Sequence, residues 1–239
     1  MTKLVKTVYY YSMKQLQSLA QGLWTISHPF AAGGVHFGTR TTVVAVREGL
    51  VLISPGPLND EAVGELAEIG EVVGLIAPNL MHHLFLERAQ SLYPQARTWI
   101  APGLDAKRPE LLYDEVLQAK PADLWSGEME QIQVGGMPKL NETVFFHNSS
   151  QTLILTDLAF NFRSCEHPPT RWMLRLNNAW KRFGPTRLLR YFFLRDQKEF
   201  AVDLAGILQW PFERVIVAHG EVLESGGRDA LREGYSWIR

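Results

Sequence analysis

The feature that most constrains the fold is an alternation of strand-like and helix-like segments in the first half of the chain. Two β-branched runs, residues 41–46 and 50–53, flank a short Arg-Glu-Gly turn and predict a β-hairpin. The next segments, up to residue 100, are typical of helix, strand, helix and strand, and Asn59-Asp60 marks the start of the first helix. This alternation favours a layered α/β domain over an all-β sandwich.

The second half of the chain continues with the same kinds of segment. Residues 142–157 predict a strand, a polar turn and another strand, and residues 215–218 predict a final strand. Residues 169–195 predict a long helical stretch that is broken at Gly184-Pro185. Because no linker separates these segments, we expect one domain over residues 1–239.

Composition excludes several classes of protein. The 24 Lys and Arg residues balance 25 Asp and Glu residues, so there is no electrostatic case for a nucleic-acid partner. Cys165 is the only cysteine, which rules out an internal disulfide and fits a reducing compartment. The N-terminal 15 residues lack the apolar core of a signal peptide, and no later stretch is long enough to span a bilayer. We therefore expect a cytoplasmic protein, with peripheral membrane contact left open.

Four potential metal ligands follow four of the predicted strands. They are His83, His147, Asp157 and His219. Ligands and catalytic groups gather at the carboxyl ends of strands in α/β sheets, and imidazole and carboxylate groups bind zinc and related ions. Each of these residues taken alone is typical of a surface or capping position, so the pattern leaves both a metal site and ordinary turns open.

Several stretches of the sequence resemble an uncharacterised branch of the metallo-β-lactamase superfamily, which is described only as a domain of unknown function. The resemblance runs from about Arg40 to the C-terminus and is carried by APNLMHHLFLERAQSLYP, ARTWIAPGLDAKRPEL, FFHNSSQTLILTDLAFNF and WPFERVIVAHG. It implies an α/β fold of four layers, an αββα sandwich in which two mixed β-sheets face each other and helices cover both outer faces.

The same resemblance implies a degenerate metal site. In the superfamily the first motif reads His-x-His-x-Asp-His, and PNLMHH places Pro78 and Leu80 at its first two histidines. His82 falls on the aspartate of the motif, and His83 falls on its last histidine. The three later ligand positions of the superfamily are matched by His147, Asp157 and His219.

Two functions are consistent with these substitutions. The resemblance implies one divalent ion, zinc or else manganese or iron, because two ligands of the first of two metal sites are missing. The protein would then be a single-metal hydrolase with His83, His147, Asp157 and His219 as ligands and His82 as a ligand or general acid-base catalyst. The alternative is a non-catalytic binding or interaction module with a vestigial site and no metal.

A basic segment suggests the kind of substrate. Residues 171–195 contain many Arg and aromatic residues but no Asp or Glu, so they could hold an anionic small molecule. The alternatives are contact with an anionic membrane surface, or helices that pack aromatic rings inward and arginines outward. Lys107, Arg108 and Arg163 are further candidates for binding an anionic substrate.

Overall fold

Two β-sheets face each other in the computed structural model, which describes residues 15–238. The first 14 residues and Arg239, which belong to the expected domain 1–239 and to the segment analysed for a signal peptide, lie outside the described residues. The strands are β1 (Leu16–Ala20), β2 (Leu23–His28), β3 (Ala31–Ala32), β4 (Val35–His36), β5 (Thr39–Val46), β6 (Gly49–Ile53), β7 (Val72–Ala77), β8 (Arg97–Ile100), β9 (Glu115–Val116), β10 (Met129–Gln133), β11 (Thr143–His147), β12 (Thr152–Ile154), β13 (Phe160–Asn161), β14 (Phe183–Gly184) and β15 (Arg214–Ile216). The α-helices are α1 (Asp60–Ile69), α2 (Leu86–Leu92), α3 (Leu104–Lys107), α4 (Pro168–Leu176), α5 (Gln197–Ile207) and α6 (Gly227–Gly234).

Both large sheets are mixed. The first has the strand order β1-β2-β5-β6-β7-β8-β9; its strands pair antiparallel as far as β6 and parallel beyond it. The second has the order β10-β11-β12-β15, in which only β12 and β15 are parallel. The predicted hairpin is the pair β5 and β6.

Alternating side chains of the strands build the layers. On β6, Val51 and Ile53 point between the two sheets and pack in one cluster with Phe145 of the second sheet. Leu50 and Leu52 point the other way and pack in a cluster with α1, α2 and α3. The outer face of the second sheet packs in the same manner against α5 and α6. These clusters confirm the αββα sandwich.

The helix α1 begins where its capping residue predicts. Asn59 Oδ1 accepts a hydrogen bond from the backbone N–H of Ala62 at 2.9 Å, which satisfies one of the free N–H groups at the helix start. The helix buries Ala62 and Leu66 against the first sheet. None of the helices in residues 15–238 is long and apolar enough to cross a bilayer.

The basic segment is less helical than its sequence predicts. Helix α4 ends at Leu176, and Asn178 has a φ of 58°, a left-handed conformation that stops the helix. Beyond it, β14 pairs with β13, and a single π-helical turn, Leu189–Phe193, replaces the expected second helix. Two short helical pieces therefore replace the long stretch predicted for residues 169–195.

Candidate metal centre

Three polar side chains meet where strands from both sheets end. Since β12 and β15 are parallel neighbours, the residues beyond their ends, Asp157 and His219, reach the same edge of the second sheet. His219 Nε2 lies 3.4 Å from Asp157 Oδ1. The loop after β7 of the first sheet brings His82 to the same place, where its Nε2 lies 3.3 Å from Asp157 Oδ2. We call these three residues the His-Asp-His group.

The Nδ1 atoms of His82 and His219 both have hydrogen-bond partners in the protein. His82 Nδ1 lies 2.7 Å from the hydroxyl of Ser54, which directly follows β6. His219 Nδ1 donates to the backbone carbonyl of Gly38 at 2.7 Å. These two contacts orient the rings so that both Nε2 atoms face Asp157, in the way that hydrogen bonds from a supporting shell orient metal-ligating histidines.

Two fully buried residues, Asn79 and Glu142, hold the carboxylate of Asp157 in place. Asn79 Nδ2 donates to Asp157 Oδ2 at 2.9 Å and to Glu142 Oε2 at 3.1 Å. Glu142 also accepts the backbone N–H groups of Thr156 and Asp157 at 2.7 and 2.8 Å. The side-chain oxygen of Asn79 accepts the backbone N–H of His82 at 2.7 Å. One network therefore fixes both the carboxylate and the loop that carries His82.

Mutual interactions within this network shift the protonation of its members. Burial disfavours the charge of Asp157, but the charge of His82 and hydrogen bonds from His219 and His82 outweigh it and hold the pKa of Asp157 below its usual range. Burial also opposes a charge on His82, and the attraction of Asp157 outweighs it, so the pKa of His82 is raised. Burial, followed by the negative charge of Asp157, raises the pKa of Glu142.

His83 is not brought into the His-Asp-His group, contrary to the expected ligand set. Its Nδ1 lies 3.2 Å from Arg108 Nη1 instead. Burial, followed by the positive charges of Lys107 and Arg108, lowers the pKa of His83 to about 4. His83 is therefore a neutral, buried imidazole that accepts a hydrogen bond from a guanidinium group.

His147 also lies apart from the group, because its strand runs in the opposite direction. β11 is antiparallel to β12, so the carboxyl end of β11 lies at the edge of the sheet opposite Asp157. There His147 Nδ1 contacts the hydroxyl of Ser150 at 2.7 Å. The sequence predicts that all four ligands lie together at the carboxyl ends of their strands. The antiparallel pairing of β11 with β12 places His147 away from Asp157 and His219 instead. The amino end of β11 lies at the edge near Asp157 and brings Glu142 there.

A cavity of about 340 Å³ opens beside the His-Asp-His group. Its walls are largely apolar side chains of residues 30–37, the helix α4 and residues 188–193. Ser54, His82, Asp157 and His219 form its polar end. The basic segment therefore contributes apolar side chains to the cavity.

The three cations expected to bind an anionic substrate do not line this cavity. Lys107 donates to a backbone carbonyl in the loop after β7. Arg108 forms ion pairs with Glu87, at 3.0 Å, and with Glu110. Arg163 is exposed, and its Nη1 donates to the backbone carbonyl of Lys181 at 3.5 Å.

Comparison with known proteins places the chain in a family. The model of the family described as Domain of unknown function (DUF4336) matches residues 20–179. The chain belongs to this family. Among proteins with curated functions, none matches the sequence.

Solved structures show which fold this DUF4336 protein has. The metallo-beta-lactamase from Pontibacter korlensis superposes with a TM-score of 0.62 and 14% identity, over 90% of this chain and 95% of the other. For the metallo-beta-lactamase FIM-1 from Pseudomonas aeruginosa in its mono-zinc form the TM-score is 0.62, at 10% identity over 93% and 92% of the two chains. The flavodiiron core of Flv1 from Synechocystis sp. PCC6803 superposes with a TM-score of 0.64 and 14% identity, over 94% of this chain and 60% of the other. These likenesses confirm the metallo-β-lactamase fold, and the family match confirms the resemblance to an uncharacterised branch.

The donor set of this DUF4336 protein fits one divalent ion. Within residues 15–238 the His-Asp-His group is the one cluster of three or more His, Cys, Asp or Glu side chains whose potential ligand atoms all lie within 4.8 Å of one another. The two imidazole nitrogens approach different oxygens of the carboxylate, His82 Nε2 at 3.3 Å from Oδ2 and His219 Nε2 at 3.4 Å from Oδ1. Two ligands of a tetrahedral ion, each about 2.1 Å from it, lie roughly 3.4 Å apart, so the spacing of each nitrogen from its oxygen suits an ion between them. Because His219 Nδ1–H donates to Gly38, Nε2 faces Asp157 either with a second N–H, as in the charged ring, or with a lone pair, as in the neutral ring. That arrangement calls for a cation, either a proton or a metal ion.

Three residues of the site were not identified from the sequence. They are Ser54, Asn79 and Glu142. Each carried a faint signal, because Ser54 and Asn79 follow buried strands and Glu142 precedes one. Glu142 precedes its strand, so a pattern of polar residues at the carboxyl ends of strands does not include it.

Proposed function

We propose that this protein is a hydrolase that works with one divalent metal ion held by the His-Asp-His group. The observation that carries the proposal is the convergence of His82 Nε2, His219 Nε2 and a carboxylate oxygen of Asp157 at one end of a cavity. The donor set differs from the one expected from the motif, since His83 and His147 do not take part and His82, expected as a ligand or an acid-base catalyst, is assigned as a ligand.

The proposal assigns a task to each residue around the ion. His82, Asp157 and His219 would hold it, and an ion in such a site supplies a Lewis acid that lowers the pKa of water to roughly 7. Ser54 keeps the ring of His82 turned toward Asp157. Asn79 donates to the carboxylate of Asp157, and Glu142 accepts a hydrogen bond from Asn79 and one from the backbone N–H of Asp157. The apolar walls of the cavity exclude bulk water and so strengthen the electrostatic interactions of the substrate.

A serine nucleophile is less well supported by the same geometry. Ser54, His82 and Asp157 lie in a row, with contacts of 2.7 and 3.3 Å. A tetrahedral intermediate on Ser54 would need nearby N–H donors for its oxyanion. Pro55 has no N–H group, and the N–H of Gly56 already donates to the hydroxyl of Thr41 at 2.8 Å.

Metal content of the full-length protein tests the proposal. Elemental mass spectrometry after equilibration with zinc, manganese or iron should find close to one equivalent of one metal per chain. His219→Ala should lose most of that metal. The alternative function, a binding module with a vestigial site, predicts folded protein that stays metal-free even after zinc is added.

Neighbouring histidines provide matched controls. His82→Ala should lose metal as His219→Ala does, whereas His83→Ala and His147→Ala should retain it, with circular dichroism verifying that all four variants fold. Loss of metal from His83→Ala with retention in His82→Ala would overturn the ligand set proposed here and favour the one implied by the motif.

A further inference from the structure

The cavity beside the His-Asp-His group is polar at one end only. Away from that end its polar side chains are Thr39, Asn177 and Thr186. Asn177 Nδ2 donates to the backbone carbonyl of Met173 at 3.2 Å, and the hydroxyl of Thr186 accepts the N–H of Leu189 at 3.0 Å. Two of these three side chains thus have a hydrogen-bond partner in their own segment, and the polar side chains along the walls are few and uncharged.

Aromatic rings in mutual contact form one wall. Phe30 packs edge-on against Phe37 with ring centroids 5.3 Å apart, and against Phe85 at 6.0 Å. Phe37 and Phe160 contact the ring of His219 at 5.1 and 5.3 Å. The wall therefore continues directly onto an imidazole of the His-Asp-His group, so a ligand that contacts the aromatic rings also reaches the polar end.

A second part of the lining comes from the basic segment, which presents apolar side chains to the cavity. Leu174 and Leu189 are buried there, and Phe193 is partly buried. None of the Lys or Arg side chains in residues 15–238 lines the cavity. A multiply charged anion would therefore lose its hydration here without gaining a cationic partner from the protein, which is unfavourable.

Apolar side chains also surround the mouth of the cavity. Met81, Leu84 and Leu188 line it, although 47%, 57% and 53% of their respective surfaces remain exposed. Exposed apolar surface that continues into a cavity is typical of a site that an apolar ligand covers. The volume of about 340 Å³ lies at the lower end of the range for small-molecule pockets.

We propose that the cavity binds an apolar acyl chain and that the substrate class is a neutral ester of such a chain, with the ester group at the His-Asp-His group. Binding of the chain is independent of the proposed hydrolase function, and only the reaction of the ester rests on it. In that reaction water adds to the acyl carbon and the bond between that carbon and the alcohol oxygen breaks. The products are an alcohol, a carboxylate and one proton.

Ala32 offers a way to fill the cavity without disturbing a buried core. It lines the cavity from the short strand β3 and is exposed, so a tryptophan there can occupy the cavity without overpacking the interior. Ala31, its neighbour on the same strand, is also exposed but does not line the cavity, since successive side chains of a strand point to opposite faces. Ala31→Trp is therefore a matched control for Ala32→Trp.

The first measurement is binding of 11-(dansylamino)undecanoic acid, a fluorescent fatty acid, to full-length protein as purified and after treatment with a chelator. We expect saturable binding in both preparations, competition by decanoate, and at least tenfold weaker binding to Ala32→Trp than to Ala31→Trp. Non-saturable binding, or equal binding to both variants, would overturn the acyl-chain site.

The second measurement compares p-nitrophenyl decanoate with p-nitrophenyl acetate in the metal-loaded protein. We expect kcat/KM to be at least about tenfold higher for the decanoate, because its chain buries additional apolar surface. The ratio of the two values should fall about tenfold in Ala32→Trp and stay constant in Ala31→Trp. Bound metal with hydrolysis of both esters at equal rates would overturn the acyl-chain proposal alone. Specific fatty-acid binding by a protein that takes up no metal would overturn the hydrolase proposal alone.

Discussion

His82 and His83 are adjacent in sequence and lie in electrostatically opposite regions of the molecule. His82 lies beside Asp157 and close to Glu142, and their negative charges raise its pKa against the effect of burial. Burial and the charges of Lys107 and Arg108 lower the pKa of His83 to about 4. His82 is thus suited to binding a cation, whereas His83, one residue further along the chain, already accepts a hydrogen bond from the guanidinium group of Arg108.

The comparison shows that a histidine pair in a motif does not have one common role. The two histidines of the loop after β7 point to different sides, His82 toward Asp157 of the second sheet and His83 toward Arg108 at the end of α3. The carboxylate side is built by residues about 60 to 80 positions further along the chain. The cationic side is built by Lys107 and Arg108 at the end of α3.

The largest effect on the carboxylate side is expected from substitution of Glu142. In Glu142→Gln an amide N–H₂ replaces one of the oxygens that accept N–H groups from Asn79, Thr156 and Asp157. At least one buried donor loses its partner, so the free energy of unfolding should fall by roughly 3 kcal/mol in urea denaturation. The control Glu130→Gln removes an exposed carboxylate from β10 and should change the free energy of unfolding by less than about 0.5 kcal/mol. Equal stability of both variants would show that the buried charge is dispensable.

Ser54 tests whether the orientation of His82 matters for a metal ion. If Ser54 holds the ring, Ser54→Ala should weaken zinc binding about 10- to 100-fold in a competition titration with a chelating dye. Ser150→Ala removes a hydroxyl at the same 2.7 Å distance from His147 and should leave zinc affinity unchanged. Full loss of ester hydrolysis in Ser54→Ala, with zinc affinity intact, would instead support Ser54 as a nucleophile.

The smallest effect is expected on the cationic side. In Arg108→Gln one of the two positive charges beside His83 is removed, so its pKa should rise from about 4 toward the ordinary 6.5, while burial and Lys107 still oppose protonation. NMR titration of the imidazole signals measures this change. Because His83 is neutral when folded and protonates more readily when unfolded, wild-type stability should decline as pH falls from 6.5 toward 4, and less steeply in the variant. An unchanged titration of His83 would show that Arg108 does not contribute to its low pKa, which would then be due to burial and Lys107.

Much of the architecture follows from local sequence. The β-branched runs of β5 and β6, the capping residue Asn59 and the buried strand β7 all lie close to where their sequences predict them. The helical stretch predicted for residues 169–195, with a break at Gly184-Pro185, is shorter in the structure because Asn178 in a left-handed conformation ends α4.

The site was predictable only in part. Asp157 and His219 follow parallel strands and meet as expected, whereas His147 follows an antiparallel strand and lies at the other edge. The sequence by itself determined the elements, their order and the polar residues at their ends, because periodicity and capping depend on residues a few positions apart. Only the tertiary structure decided which of those residues meet, since strand direction and the pairing of distant segments place each side chain. For that reason His82 is in the group, His83 is not, and Glu142 supports Asp157.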